Sequence, residues 1–385
     1  MKAMKDIWKI VQREFKYILR NKRILVIMCL VPLILTLIFG AVYNEKTIKN
    51  MKLGVINYSE SQASRELISN FEKTETFSEV RYLADEEEIQ DLLKKGEIHG
   101  AMIIPADFTE NVKKGEEAVV MIGADGSNMS ISNTILTKAS EITSNTKIGG
   151  SFHGTSDTGD GSAPITYSIR NWFNPGVNYS DFLLLGYVAA IIQQVLMYFA
   201  AISITEEERW GTMRELKDMN VPVIGIILGK MIPYVALGML SWLASLVIVF
   251  GFFRTPMRGS WGIMILLSLV FLIFIASISL FISTMARRSI DATQYAMVVA
   301  LPSFLLCGYT WPMVAMTGIY KIIGHLFPIT YFAVNVRNIA LMDAGIQQIA
   351  PDLAVMIVLT IIFIQLSNRR GTLLFGALYP QGKLN

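Results

Sequence analysis

Thr205-Glu-Glu-Glu-Arg-Trp-Gly-Thr-Met-Arg-Glu-Leu-Lys-Asp-Met-Asn-Val-Pro222 is a polar stretch between two long runs dense enough in Ile, Leu, Val, Phe and Ala to cross a bilayer. Glu206, Glu207 and Glu208 stand at its start, Met213, Leu216 and Met219 recur at helical spacing, and Pro222 closes it. That order predicts a short amphipathic helix over 205–222, with carboxylates at the positive end of the helix dipole. A loop that only joins two spans needs none of it. The residues alone leave two readings open. One is a surface helix that receives force from a soluble partner, with Gly211 allowing close approach and Glu206–Glu208 and Glu215 offered to the partner's arginines. The other is a solvated loop with internal Glu–Arg pairs.

The chain as a whole is 52% hydrophobic and 17% charged, well off the soluble average. Several apolar runs of roughly twenty residues predict a bundle of spanning helices. A net charge of +3, with basic residues in short clusters beside apolar runs, argues against nucleic-acid binding. The two cysteines, Cys29 and Cys307, fall in different spans and read as small buried apolar residues rather than a disulfide. The N-terminus lacks a cleavage site after its apolar run and reads as an uncleaved first span.

Residues 1–23 carry eight Lys/Arg, with Ile7, Trp8, Ile10, Val11, Phe15, Ile18 and Leu19 mostly on one helical face. This predicts an interfacial amphipathic helix with its apolar side among the headgroups, or a basic flank that sets orientation. The first span is expected over 24–43, with Pro32 inside it. Residues 44–180 alternate five- to seven-residue apolar patterns with charged helices, which predicts an inserted α/β domain. Asp85-Glu-Glu-Glu88 there opens a helix at its dipole end, and 149–163 is a Gly/Ser-rich linker. Further spans are expected over 181–204, 223–253, 261–285, 292–310 and 350–367. Residues 311–344, broken by Pro312, Gly318, Gly324 and Pro328, predict a re-entrant or interfacial helix pair, and 368–385 a tail. The fold class is therefore an α-helical polytopic membrane protein with six spans and an α/β domain inserted between spans one and two. Six spans place both termini on one side. The N-terminal cluster, Arg287-Arg288 and Arg369-Arg370 make that side cytoplasmic, and residues 44–180 extracytoplasmic, at a cell membrane.

No motif of hydrolysis or metal ligation is present, and no catalytic or metal site is expected. Gly225-Ile-Ile-Leu-Gly-Lys230 is one residue short of a P-loop, lacks the following Ser/Thr and opens a span. Gly225 and Gly229 read instead as a close helix contact. Ionisable residues of the spans, such as Asp181, Lys230 and Asp291, sit at span ends, which argues against a proton relay and for energy supplied from elsewhere.

Several stretches resemble one family in their order along nearly the whole chain. Arg13-Glu-Phe-Lys-Tyr-Ile-Leu-Arg-Asn-Lys22 running into Pro32 is similar to the interfacial helix and first span of type-2 permeases of ABC exporters. His99-Gly-Ala-Met-Ile-Ile-Pro-Ala-Asp-Phe108, Lys114-Gly115 and Asp125-Gly-Ser-Asn128 resemble the external-domain signature of the branch with a large domain after span one. Glu208-Arg-Trp-Gly-Thr-Met-Arg-Glu-Leu216 with Val221-Pro222 resembles the coupling helix. Leu301-Pro302, Gly308-Tyr-Thr-Trp-Pro312 and Phe327-Pro-Ile-Thr-Tyr331 resemble the fifth span and the broken helices after it. Arg209 departs from the acidic residue often found two positions before the Gly-Thr pair.

The resemblance implies a permease subunit, not itself an enzyme, that exports an apolar or amphiphilic drug, lipid or peptide as a homo- or heterodimer. It implies no cofactor of its own, since ATP is bound by a separate cytoplasmic P-loop ATPase. Glu206, Glu207, Glu208, Arg209, Gly211, Thr212, Arg214 and Glu215 would couple to that ATPase. Pro302, Tyr309, Trp311, Pro312, Pro328 and Tyr331 would shape an outer gate, or serve as ordinary interfacial aromatics and helix breaks. Trp8, Arg13, Glu14 and Phe15 would belong to the interfacial helix. The competing classes are a receptor or scaffold whose 44–180 domain binds a ligand, and a proton-coupled carrier, which needs a functional acid in the spans.

Overall fold

The computed structural model describes residues 2–42, 50–114, 118–124, 129–145, 179–219, 221–311 and 313–378. The chain divides into two compact units, Met1–Asn44 with Ser180–Asn385, and Glu45–Tyr179. The first unit opens with α1 (Lys2–Arg20) and α2 (Lys22–Val42), separated by Asn21 alone. Pro32 lies inside α2 and has no N–H to give to the carbonyl of Met28 one turn back. The Ser241 hydroxyl donates to that carbonyl at 2.7 Å, so the proline costs no unsatisfied group in an apolar setting.

The second unit is α/β. Its elements run β1 (Met51–Asn57), α3 (Gln62–Glu72), β2 (Phe77–Tyr82), α4 (Glu86–Lys95), β3 (Gly100–Ile104), α5 (Phe108–Lys114), β4 (Met121–Ala124) and α6 (Met129–Asn145). The four strands are ordered β2-β1-β3-β4, parallel except for the antiparallel β3–β4 pair. Leu53, Val55, Met102 and Ile104 bury one face against Leu67, Ile68, Phe71, Phe108 and Ile135. Local chemistry explains the helix ends. Ser61 closes a capping box with Ser64, Asp85 accepts from the Glu88 N–H, and Gly96 ends α4 in the left-handed region. The 149–163 linker and Asp125–Asn128 lie outside the described residues.

The first unit resumes with α7 (Tyr179–Arg209), α8 (Met213–Asp218), α9 (Val223–Val247), α10 (Trp261–Met285), α11 (Ser289–Leu306), α12 (Gly318–Gly324), α13 (Pro328–Met342) and α14 (Ile346–Leu378). A single π-turn, Ile248–Phe252, prolongs α9. Among the described residues six helices are long and apolar enough to cross a membrane: α2, α7, α9, α10, α11 and α14. The chain is a multi-pass membrane protein. Helix α10 is central, with Phe271 stacked on Phe332 of α13 at 3.8 Å and Trp242 of α9 edge-on to Phe332. Its Ser268 and Ser279 hydroxyls return to carbonyls four residues back, so no polar group is stranded.

Three expectations are corrected. Span two does not stop at 204: α7 continues to Arg209 and takes Glu206–Glu208 with it. The 205–222 helix is therefore two pieces, the last turn of α7 and the six-residue α8, joined through Trp210-Gly211-Thr212. Likewise α14 runs from Ile346 through Arg369-Arg370 to Leu378, where a tail was expected from 368. The third concerns α1, whose apolar face is shared with protein: Ile10, Val11 and Ile18 are buried while Trp8 and Leu19 stay exposed. Gly225 and Gly229 are the reason. A Cβ at Gly229 would stand 2.8 Å from Ile10, and one at Gly225 would stand 3.2 Å from Ile7. Over 311–344, α12 and α13 form the broken pair, bent by 83°.

Candidate functional site

The turn after α7 has a defined cause. Gly211 adopts φ +72°, its N–H bonds Glu208 O at 3.2 Å, and the Thr212 N–H bonds Glu207 O at 3.0 Å. This paired closure is a Schellman motif, and glycine is the residue that enters the left-handed region without strain. Arg209 and Trp210 are left exposed on the turn. Beyond it α8 folds back and buries Met213 and Leu216, each 1% exposed, against the helical core.

Beneath the turn lies a buried ion cluster. Lys230 stands about two turns into α9 and is 1% exposed. Its ammonium donates to Glu14 Oε2 at 2.8 Å, Glu207 Oε1 at 2.9 Å and Ser203 O at 3.2 Å, which uses all three protons. Arg13 grips Glu207 with both terminal nitrogens, at 2.9 and 2.8 Å, and reaches Glu215 at 3.5 Å. The Tyr234 hydroxyl donates to Glu14 at 3.0 Å, and the Thr212 hydroxyl donates to Glu207. Two cations and two carboxylates balance, so the low-dielectric site holds no net charge. Burial alone would lower the Arg13 pKa, but the hydrogen bond and charge of Glu207 outweigh it and hold Arg13 above its ordinary value. Glu206 is fixed too, accepting from Ser289 of α11 at 2.6 Å and from the Trp210 indole at 2.7 Å. The end of α7 is thus tied to α1, α9 and the start of α11.

These contacts sort the expected coupling residues. Glu206, Glu207 and Thr212 are engaged within the chain rather than offered outward, while Glu208, Arg209, Gly211, Arg214 and Glu215 are exposed. Arg13 and Glu14 of α1 join the cluster; Phe15 is half-buried and Trp8 is 58% exposed. Sequence reasoning took Lys230 for a span-end charge and missed its buried role, and it missed Tyr234 beside Glu14 and Ser289 beside Glu206. The signal was present: Lys230 and Tyr234 share a face at i, i+4 spacing in an apolar helix, where an ionised group needs a partner.

The expected gate residues lie on α11, the stretch after it and α13. Tyr309 is buried, its hydroxyl accepts from the Gly186 N–H at 3.1 Å, and Arg337 of α13 stacks over its ring at 5.2 Å. Gly186 is required there, because an added Cβ would stand 2.1 Å from the Tyr309 ring. The Tyr331 hydroxyl donates to His325 O at 2.6 Å across the α12–α13 bend, where Pro328 starts α13. Pro302 lies inside α11, Trp311 is 50% exposed, and Pro312 is outside the described residues.

Comparison with known proteins bears on this architecture. A family model described as "ABC-2 family transporter protein" matches residues 22–367. The chain belongs to the ABC-2 transporter family. Its relatives include two Escherichia coli proteins described as "Probable multidrug ABC transporter permease". One, YbhS, is 26% identical over 91% of this chain and 90% of the relative; the other, YbhR, is 22% identical over 92% and 95%. The "Inner membrane transport permease YhhJ" of the same organism is 23% identical over 91% of this chain and 93% of its own length. This ABC-2 chain is similar throughout to permease components, and the ion cluster joins elements on both sides of the inserted unit.

Proposed function

We propose that this ABC-2 chain is the membrane-spanning permease subunit of an ATP-driven exporter, powered by a separate cytoplasmic P-loop ATPase and working as a dimer. The observation that carries the reading is the rigid seat under an exposed turn. Glu208, Arg209, Gly211, Arg214 and Glu215 present a docking face, and Glu207 behind it is locked to α1 and α9 by charge-assisted bonds. A push on α8 is then delivered to three elements at once. In this reading the termini are cytoplasmic, the Glu45–Tyr179 unit is extracytoplasmic, and α7 and α11 line the outward path. Tyr309, Pro302, Trp311, Pro312, Pro328 and Tyr331 shape its outer end. The relatives described as multidrug permeases favour an apolar or amphiphilic substrate.

The test is purification of the tagged chain in mild detergent from its native membranes, with ATP hydrolysis assayed on the eluate. A stoichiometric P-loop ATPase whose activity follows the tag supports the proposal. An eluate without one removes the motor and the reason for the exposed turn.

A further inference from the structure

Above the ion cluster is a cavity of about 1110 Å³, lined by α1, the start of α2, the end of α7 and the turn after it. Its floor is electrically settled, since Arg13, Glu14, Glu207 and Lys230 neutralise one another. Its rim is not. Lys16, Arg20, Lys22 and Arg23 all line it, and none has an acidic partner among the described residues. These four charges outnumber the two other carboxylates that line the groove, Glu206 and Glu215, which already face Arg209 and Arg13, so the groove carries a cationic surplus that an external anion would relieve. An orientation signal accounts for basic residues beside a span, but not for their convergence on one cavity. Trp210, 66% exposed, forms part of the opposite wall. Lys22 begins the first membrane helix, so the groove opens at headgroup depth.

We propose that this groove binds a phosphate-bearing anion, held by Lys16, Arg20, Lys22 and Arg23, and that the headgroup of an anionic glycerophospholipid is its natural source. The volume is in the range of sites that enclose small ligands. A bound headgroup would bridge the α1–α2 junction to Trp210 and so brace the turn against α1. The proposal rests on the membrane-spanning fold and the groove, and is independent of which motor drives the subunit.

The test uses the full chain in detergent, with lipids counted by native mass spectrometry and affinity measured by titration of phosphatidylglycerol, phosphatidylcholine, glycerol phosphate and inorganic phosphate. Saturable phosphatidylglycerol binding in preference to phosphatidylcholine is expected. Each cation near an anionic surface contributes roughly five-fold, so Lys22→Gln with Arg23→Gln should weaken binding roughly thirty-fold. Lys16→Gln with Arg20→Gln should do the same, and provides an independent pair if the first fails to fold. Glycerol phosphate or inorganic phosphate binding with equal affinity, and the same losses, supports the phosphate site with a soluble source. Equal retention of both lipids with no saturable phosphate binding, or unchanged affinity in both variant pairs, overturns it.

Discussion

Lys230→Met tests the ion cluster at the point where its electrostatics are least forgiving. The ammonium is 1% exposed and lies 2.8 Å from Glu14 and 2.9 Å from Glu207. Methionine fills similar volume, so the change isolates charge from packing. Without the ammonium, Glu207 keeps both nitrogens of Arg13 and the Thr212 hydroxyl, but Glu14 keeps only the Tyr234 hydroxyl at 3.0 Å. The loss therefore falls on Glu14, a carboxylate 2% exposed and stripped of its cation. Removing one partner of a buried pair costs about 3–5 kcal/mol. For a unit of this size that corresponds to a melting shift on the order of 10 °C. Adding Glu14→Gln to Lys230→Met removes the stranded charge and should recover most of the loss. The assay is thermal unfolding of the purified chain in one detergent, comparing wild type, both single variants and the double. A Lys230→Met variant that melts with the wild type refutes the reasoning, and so does a double variant no more stable than Lys230→Met.

Gly229→Ala should destabilise the α1–α9 contact by about 1–3 kcal/mol, since the new methyl would stand 2.8 Å from Ile10. Ile10→Ala in the same chain should relieve that clash in the same unfolding assay. Glu215→Lys reverses a charge on an exposed side chain and should reduce ATPase co-purification roughly five-fold, the scale of a rim charge, without impairing membrane insertion. Undiminished co-purification of the partner by Glu215→Lys would remove that residue from the interface. With Cys29 and Cys307 replaced, Lys95→Cys should react with an impermeant maleimide on intact cells, whereas Glu208→Cys should react only after permeabilisation. The reverse pattern would invert the proposed topology.

Helix α10 was legible to the residue because Ser260 and Ala286 bound an uninterrupted apolar run with extended backbone on both sides. The α/β elements were legible for a related reason: Ser61, Asp85 and Gly96 are local signals that act within a few residues. The end of α7 was not. Glu206–Glu208 read as the first turn of a surface helix, yet Ser289 and Lys230, tens of residues later in the chain, hold Glu206 and Glu207 on the last turn of a spanning one. Tertiary contacts decided that boundary, and hydropathy does not report them. The same limit applies to α14, where Asn368-Arg369-Arg370 marked the end of apolar density but not of the helix, because Lys and Arg stems continue a helix freely. Gly225 and Gly229 signal a close helix contact in the sequence but not its partner, and Ile7 and Ile10 of α1 turn out to fill the space they leave.

The central claim is that the turn after α7 receives a cytoplasmic ATPase. It is tested most directly by a short bifunctional cysteine cross-linker in native membranes, applied to Glu208→Cys in a chain lacking Cys29 and Cys307. An adduct between Glu208→Cys and a P-loop ATPase, absent from an Arg254→Cys control beyond the far end of α9, is the predicted result. No adduct at Glu208→Cys, or equal adducts from both positions, would contradict the account.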